Sequence, residues 1–180
     1  DSLRSSNEKN DELNRMNLIS DNARNHIVGY HNAWLENDRL YIQTELCDAS
    51  LNKLIDLAKK KGKNCWGDLQ SKWKLLREIL IALSLLHANG LVHLDIKPDN
   101  IFVRNGLFKL GDFGLVNKMA DFASDKNSGV EDGDSRYMSM ELLQDDHSDL
   151  TKSDIFSLGA TLYEICLGRS LPYNGQQWQD

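Results

Sequence analysis

Residues 93–100 read His-Leu-Asp-Ile-Lys-Pro-Asp-Asn, and twelve positions beyond Asn100 the chain continues Asp112-Phe113-Gly114. Transfer of a phosphoryl group from a nucleotide passes through a loose transition state, so it asks a protein for placement and charge neutralisation more than for covalent chemistry. Few parts are needed, and these two runs contain them. Asp95 offers a carboxylate that can accept the proton of an incoming hydroxyl. Lys97, two residues on, lies on the same side of an extended segment and offers a cation to the moving phosphate. Asn100 and Asp112 carry the hard oxygens that magnesium prefers. Asn105-Gly106 predicts a tight hairpin between NIFVRN and LFKLGDF, which would set Asn100 and Asp112 side by side. Gly114 leaves the backbone after Asp112 free to turn, with Phe113 as an apolar anchor beneath it.

An Asp-Phe-Gly by itself reads equally well as an ordinary turn. Both runs in order, at loop spacing, resemble the catalytic loop and the magnesium loop of the protein kinases, His-Arg-Asp-x-Lys-Pro-x-x-Asn and Asp-Phe-Gly. The run Ser153-Asp154-Ile155-Phe156-Ser157-Leu158-Gly159 is similar to the start of the same family's buried central helix. The resemblance implies that Asp154 holds the catalytic-loop backbone and that His93 braces the loop rather than acting as a base. It also implies ATP and magnesium as cofactors, and places Thr44 at the gate of the ATP pocket, with Glu45 and Cys47 offering backbone groups to adenine. Ser139-Met140-Glu141 stands where the family writes Ala-Pro-Glu, a departure from the pattern.

One branch is resembled along nearly the whole chain: the Wee and Myt kinases, which restrain mitosis by phosphorylating cyclin-dependent kinases. The runs that carry this are HIVGYHNAW (26–34), LYIQTELC (40–47), HLDIKPDNIF (93–102), KLGDFG (109–114), EDGDSRYM (131–138), DIFSLGA (154–160) and LPYNGQQW (171–178). That branch implies phosphorylation of tyrosine, whereas Lys97 belongs to the Ser/Thr-type loop. Two other readings stay open: a Ser/Thr-directed signalling kinase and a pseudokinase acting as a binding scaffold. Asp95, Lys97, Asn100 and Asp112 all being present weighs against the scaffold.

Leu94 departs from the family's arginine, which in many kinases pairs with a phosphate on the activation loop. Leucine has no donor to offer. The expectation is that phosphorylation within residues 115–138 does not switch the protein on, with Glu131, Asp132 and Asp134 supplying fixed negative charge there. A tenfold rise in activity on phosphorylating that loop would contradict it.

Working outward, the fold class expected is α+β, protein-kinase-like: a mainly helical large lobe with small β hairpins, plus a partial β small lobe. Residues 1–11 are Ser, Asn and charge and read as a disordered start, and a short helix is expected at 12–24. IVGYHNAW and RLYIQTEL, separated by the turn-former LEND, predict a hairpin over 27–46. A short helix is expected at 51–58, followed by a basic surface loop at 59–67. Leu69, Trp73, Leu76, Leu80, Leu83 and His87 step by four and three, which predicts one long helix with that stripe as its face. Asp68 suits its N-cap and Asn89-Gly90 its stop. LVHLDI reads as a β piece, 121–135 as a mobile loop, and 153–167 as a helix apolar on nearly every side and therefore buried, ended by Gly168.

No Gly-x-Gly-x-x-Gly and no Val-Ala-x-Lys run occurs among the 180 residues. By the resemblance, 12–46 are then the remnant of a small lobe and 47–180 a large lobe cut short at its C-terminus. Each lost charge-assisted contact to a nucleotide is worth about 1.5 to 3 kcal/mol, so this stretch alone is expected to turn over very little.

Composition excludes several other classes. A net charge of -6, from 21 Lys and Arg against 27 Asp and Glu, disfavours a nucleic-acid footprint. The three cysteines, Cys47, Cys65 and Cys166, form no metal-ligand spacing and read as reduced thiols, in a nuclear or cytoplasmic protein. No apolar run is long enough to span a bilayer, so no membrane contact is expected within the segment. The partner expected is a protein substrate, a cyclin-dependent kinase, met by a monomer.

Overall fold

The structure, a computed structural model, describes residues 25–37, 39–63, 66–114, 116–119 and 134–172. The expected start at 1–11, the helix at 12–24, Cys65, Glu131 and Asp132, loop 121–133 and the run from Tyr173 onward lie outside the described residues.

Strand β1 (Tyr30–Glu36) pairs antiparallel with β2 (Arg39–Thr44). The expected turn LEND is shorter than predicted. Leu35 pairs with Leu40 and Glu36 with Arg39, so the ladder runs two residues further. The turn falls at Asn37, whose φ of 50° is one that asparagine tolerates better than most side chains. Residues 27 and 28 do not extend β1 as expected. Ile27 makes a parallel bridge to Leu110, and the Val28 amide donates to the Leu110 carbonyl at 2.8 Å, which ties the chain before β1 to a strand far along the sequence.

After β3 (Ala49–Ser50), helix α1 (Leu51–Lys60) opens with the Ser50 hydroxyl accepting from the Lys53 amide. It continues two residues past the predicted end, and Gly62 at φ 72° follows its cap. Helix α2 (Leu69–Ala88) starts where predicted: the Asp68 carboxylate accepts from the Ser71 amide at 2.7 Å. Its buried face matches the predicted stripe only in part, at Leu83 and at Leu76, which packs against the core. Leu75, Ile79, Ala82, Leu83 and Leu86 face the core, while Leu69 is 70% and Trp73 62% exposed. Glu78, on the buried side, accepts from the Phe108 amide at 2.7 Å and so fixes which way the helix turns.

Strand β4 (Leu91–Val92) is followed by β5 (Ile101–Arg104) and β6 (Leu107–Leu110). Asn105 at φ 50° and Gly106 at φ 76° supply the left-handed pair that a two-residue hairpin turn needs, and β5 pairs β6 from Ile101–Leu110 to Arg104–Leu107. With β3 they form a three-stranded sheet in the order β3-β5-β6. The short β7 (Asn117–Lys118) pairs with β4. The predicted β run LVHLDI therefore stops after Val92, for a reason given by Asp154 below.

Helix α3 (Met140–Leu143) and helix α4 (Leu150–Leu167) complete the described chain. Gly168, at φ 74°, caps α4 as expected, but the helix begins three residues earlier than predicted and only one side of it is buried. Asp154, Ser157, Leu158, Thr161 and Ile165 face inward, whereas Ile155, Phe156 and Tyr163 are exposed among the described residues. The architecture is α+β, with one main core in which α1, α2 and α4 close around the β5-β6 hairpin. Among the described residues no helix is long and apolar enough to cross a membrane.

Candidate active site

Asp154 organises the loop from below. Its carboxylate is fully buried and accepts from the His93 amide at 3.0 Å, the Leu94 amide at 2.8 Å and the His87 ring at 2.8 Å. Two consecutive amides aimed at one carboxylate cannot also serve a β ladder, so the strand ends at Val92. The bend is completed by Leu94 at φ 62°, a strained conformation for leucine that persists only where its surroundings impose it. The Leu94 side chain is buried in an apolar cluster with Val92, Leu142 and Leu150. It offers nothing to a phosphate.

His93 is fully buried. Its Nδ1 faces the Asp95 amide at 3.3 Å, which makes Nδ1 the acceptor, and Nε2 then donates to the Gly111 carbonyl at 3.1 Å. The ring also meets Phe113 edge to face at 5.5 Å. Burial pushes its pKa below the ordinary 6.5, against the opposite pull of Asp154 and of the Gly111 bond. His93 thus stays neutral and braces both halves of the site. The unfolded chain takes up a proton near 6.5 while the folded chain resists it, so stability is full above that pH and declines as pH falls toward the folded value. Urea midpoints measured from about pH 7.5 down to about 5.5 are expected to fall more steeply for the wild type than for a folded His93→Gln variant. Parallel slopes would refute the assignment.

The charged centre sits on this brace. Lys97 Nζ lies 2.9 Å and 2.8 Å from the two oxygens of Asp95. Asn100 Nδ2 donates to the Asp95 carboxylate at 2.7 Å and to the Asp95 carbonyl at 2.8 Å. Because the amide nitrogen is committed to Asp95, the Asn100 side-chain oxygen is the group left for another partner. One step beyond the β5-β6 ladder, the Gly111 amide donates to the Asn100 carbonyl at 2.9 Å, which brings the residue before Asp112 alongside Asn100. Asp112 is itself left-handed at φ 62°. The freedom expected of Gly114 is therefore used at Asp112 instead; the Gly114 amide reaches the Asp112 carboxylate at 3.5 Å. Phe113 is buried.

Gly111 carries a requirement that the motif reading passed over. A Cβ there would stand 2.6 Å from Val28 and 2.9 Å from the Phe102 ring, so only glycine lets those side chains close over it. The signal in the sequence was a glycine directly before Asp-Phe-Gly.

A cavity of about 610 Å³ opens beside this centre, lined among others by Val28, Thr44, Glu45, Cys47, Phe102 and Asp112. That volume suits a nucleotide-sized ligand, since such sites run from roughly 300 to 1,000 Å³. Thr44, Glu45 and Cys47 thus line one cavity together with Asp112. The Glu45 amide is already committed to the Gly29 carbonyl at 2.7 Å, so of its backbone groups the carbonyl is the one left for a ligand, receiving only a 4.0 Å contact from the Cys47 thiol. Burial, and then the nearby Glu45 charge, push the Cys47 thiol up, which keeps it neutral and suited to packing.

Magnesium asks for hard oxygens and keeps several water or phosphate ligands of its own, so two protein ligands suffice. Asn100 and Asp112 fit that need, and among the described residues no cluster of three or more His, Cys, Asp or Glu offers a competing metal cage. Asp134, expected to stand in for a phosphate, is bound within its own turn instead: Arg136 donates to it at 2.9 Å and 2.5 Å, and these bonds hold its carboxyl below the usual range. The Tyr137 hydroxyl donates to buried Glu164, and Ser157 donates to the Tyr137 carbonyl at 2.7 Å, docking this turn on α4.

Residues 2–180 match the family described as Protein kinase domain. The chain is 45% identical over 152 residues to a "Wee1-like protein kinase" of Oryza sativa subsp. japonica, covering 84% of this chain and 27% of that protein. It is 39% identical over 153 residues to the "Membrane-associated tyrosine- and threonine-specific cdc2-inhibitory kinase wee-1.3" of Caenorhabditis briggsae, covering 84% of this chain and 22% of the relative. Against a "Wee1-like protein kinase 2" of Xenopus tropicalis the identity is 36% over 174 residues, 85% of this chain and 30% of the relative. The chain spans less than a third of the length of each of these three curated relatives.

Proposed function

The chain belongs to the protein kinase family, with Wee1-like kinases among its relatives, and from that premise we propose that it is catalytic machinery for ATP-dependent phosphorylation of tyrosine on a cyclin-dependent kinase. The observation that carries the reading is the centre in which Asp95, Lys97 and Asn100 are mutually bonded, beside a cavity lined by Asp112. Asp95, held between Lys97 and Asn100, accepts the proton of the attacking phenol. Lys97, ion-paired with Asp95, neutralises charge on the transferring phosphoryl group. Asn100 and Asp112 would hold magnesium, which supplies charge neutralisation at the phosphate oxygens. The Glu45 carbonyl and the backbone of Cys47 meet adenine, with Thr44 at the gate to the back of the pocket. His93, Phe113, Gly114 and Asp154 hold these groups in place.

The physiological consequence proposed is a delay of entry into mitosis, exerted by a monomer in the nucleus or cytoplasm. Leu94, buried among apolar side chains, supports a kinase whose activity does not wait on phosphorylation of its own loop. A second reading has one observation in its favour, since Lys97 is the Ser/Thr-type residue: the protein would modify serine or threonine. Phosphoamino-acid analysis of a cyclin-dependent kinase treated with the natural full-length protein separates the two. Phosphotyrosine is expected; phosphoserine or phosphothreonine alone would move the assignment to the second reading.

A further inference from the structure

Lys109 lies on β6 with only 6% of its surface exposed. Burying an ammonium group is costly unless it is closely paired. Its Nζ stands 2.6 Å from one carboxylate oxygen of Glu45 and donates to the Ile27 carbonyl at 3.2 Å. Arg104, on β5, donates to the other Glu45 oxygen at 3.1 Å. Burial raises the Glu45 carboxyl, but the Lys109 bond, the Gly29 amide contact and the two positive charges outweigh it and hold it low, so the pair is ionised. Glu45 is thus gripped at its backbone amide and at both carboxylate oxygens.

Stability does not explain this arrangement, because well-packed apolar side chains often match or exceed a buried ion pair. Position does. Glu45 lines the same cavity wall as Cys47, and β6 delivers Asp112 three residues after Lys109. One ammonium group therefore joins the wall that would meet the base to the strand that would meet the phosphates. Misplacement by about 1 Å between two such partners can cost on the order of 100-fold in a reaction.

We propose that Lys109 is a positioning residue for the nucleotide: acting through Glu45, it sets the spacing between the 45–47 backbone and Asp112 so that both ends of one nucleotide are engaged together. The inference rests on the kinase reading, and binding separates the two. In the natural full-length protein, Lys109→Met is expected to weaken ADP about tenfold, adenosine less than about threefold, with Lys109→Arg close to wild type. Glu45→Gln, which keeps the shape and removes the charge, should follow Lys109→Met and serves if that variant does not fold. A merely structural lysine would lower the melting temperature and leave the affinity of the folded protein for ADP unchanged, which would overturn the proposal. Equal weakening of adenosine and ADP would overturn it too, since Lys109 would then shape only the adenine wall. A wild type that binds ADP but transfers no phosphate would refute the kinase reading and leave the positioning role standing.

Discussion

Replacing Asp154 with alanine is expected to lower the unfolding free energy by about 3 to 5 kcal/mol, the range found when one partner of a buried charged group is removed. Three donors converge on that carboxylate: the His93 and Leu94 amides and the His87 ring. The two amides lie in fully or nearly fully buried residues, so no solvent is at hand to replace the lost acceptor. Each buried donor left without a partner costs about 1 to 3 kcal/mol, and domains of this size hold only about 5 to 15 kcal/mol in total. Leu94 would also lose the restraint that keeps it at φ 62°. At about 2 to 4 °C per kcal/mol the melting temperature should fall by roughly 10 °C. Asp154→Asn keeps one acceptor but points an amide nitrogen at a backbone N–H, so it should be destabilised as well. A loss under about 1 kcal/mol for the alanine variant would show that the loop is held by something else.

Much of the fold was legible because its signals are local. Asn105-Gly106 can hardly be read as anything but a tight turn, Asp68 is a typical cap, and Gly168 a typical stop. What failed was the choice of face. Helix α2 carries leucines on more than one side, so a stripe at positions 69, 73, 76, 80, 83 and 87 fits helical spacing as well as the buried set at 75, 79, 82, 83 and 86, and the two share only Leu83. The choice between them is made by tertiary contacts, above all by Glu78 reaching the Phe108 amide, and no periodicity encodes that. Helix α4 misled in the same way, since an all-round apolar pattern says nothing about how much partner surface the described residues supply.

In the site, the chemical groups were legible as a motif but their support was not. Asp95, Lys97 and Asn100 lie within six residues of each other, and the structure bonds them to one another. The left-handed backbone at Leu94 is held by Asp154, 60 positions along the chain, and like that at Asp112 it has no signature of its own in the sequence. The Glu45-Lys109 pair joins positions 64 apart, which a reading along the sequence has no means to connect. Gly114 was credited with a turn that the preceding aspartate makes.

The account stands on Asp95 as the group that takes the proton, and Asp95→Asn removes that capacity while changing almost no volume. The asparagine can still receive one bond from Asn100 or Lys97, so the loop should keep its shape and the cavity its nucleotide affinity. General-base catalysis contributes about 10² to 10⁴-fold, and that is the loss expected in the rate constant for phosphate transfer. The most direct test is single-turnover transfer of the γ-phosphate from magnesium-ATP to a tyrosine peptide of a cyclin-dependent kinase, run with natural full-length wild type and Asp95→Asn alongside ADP binding. The wild type should transfer phosphate, and the variant should bind ADP equally well and transfer at least about 100-fold more slowly. Transfer by the variant at the wild-type rate, or none by the wild type, would contradict the account.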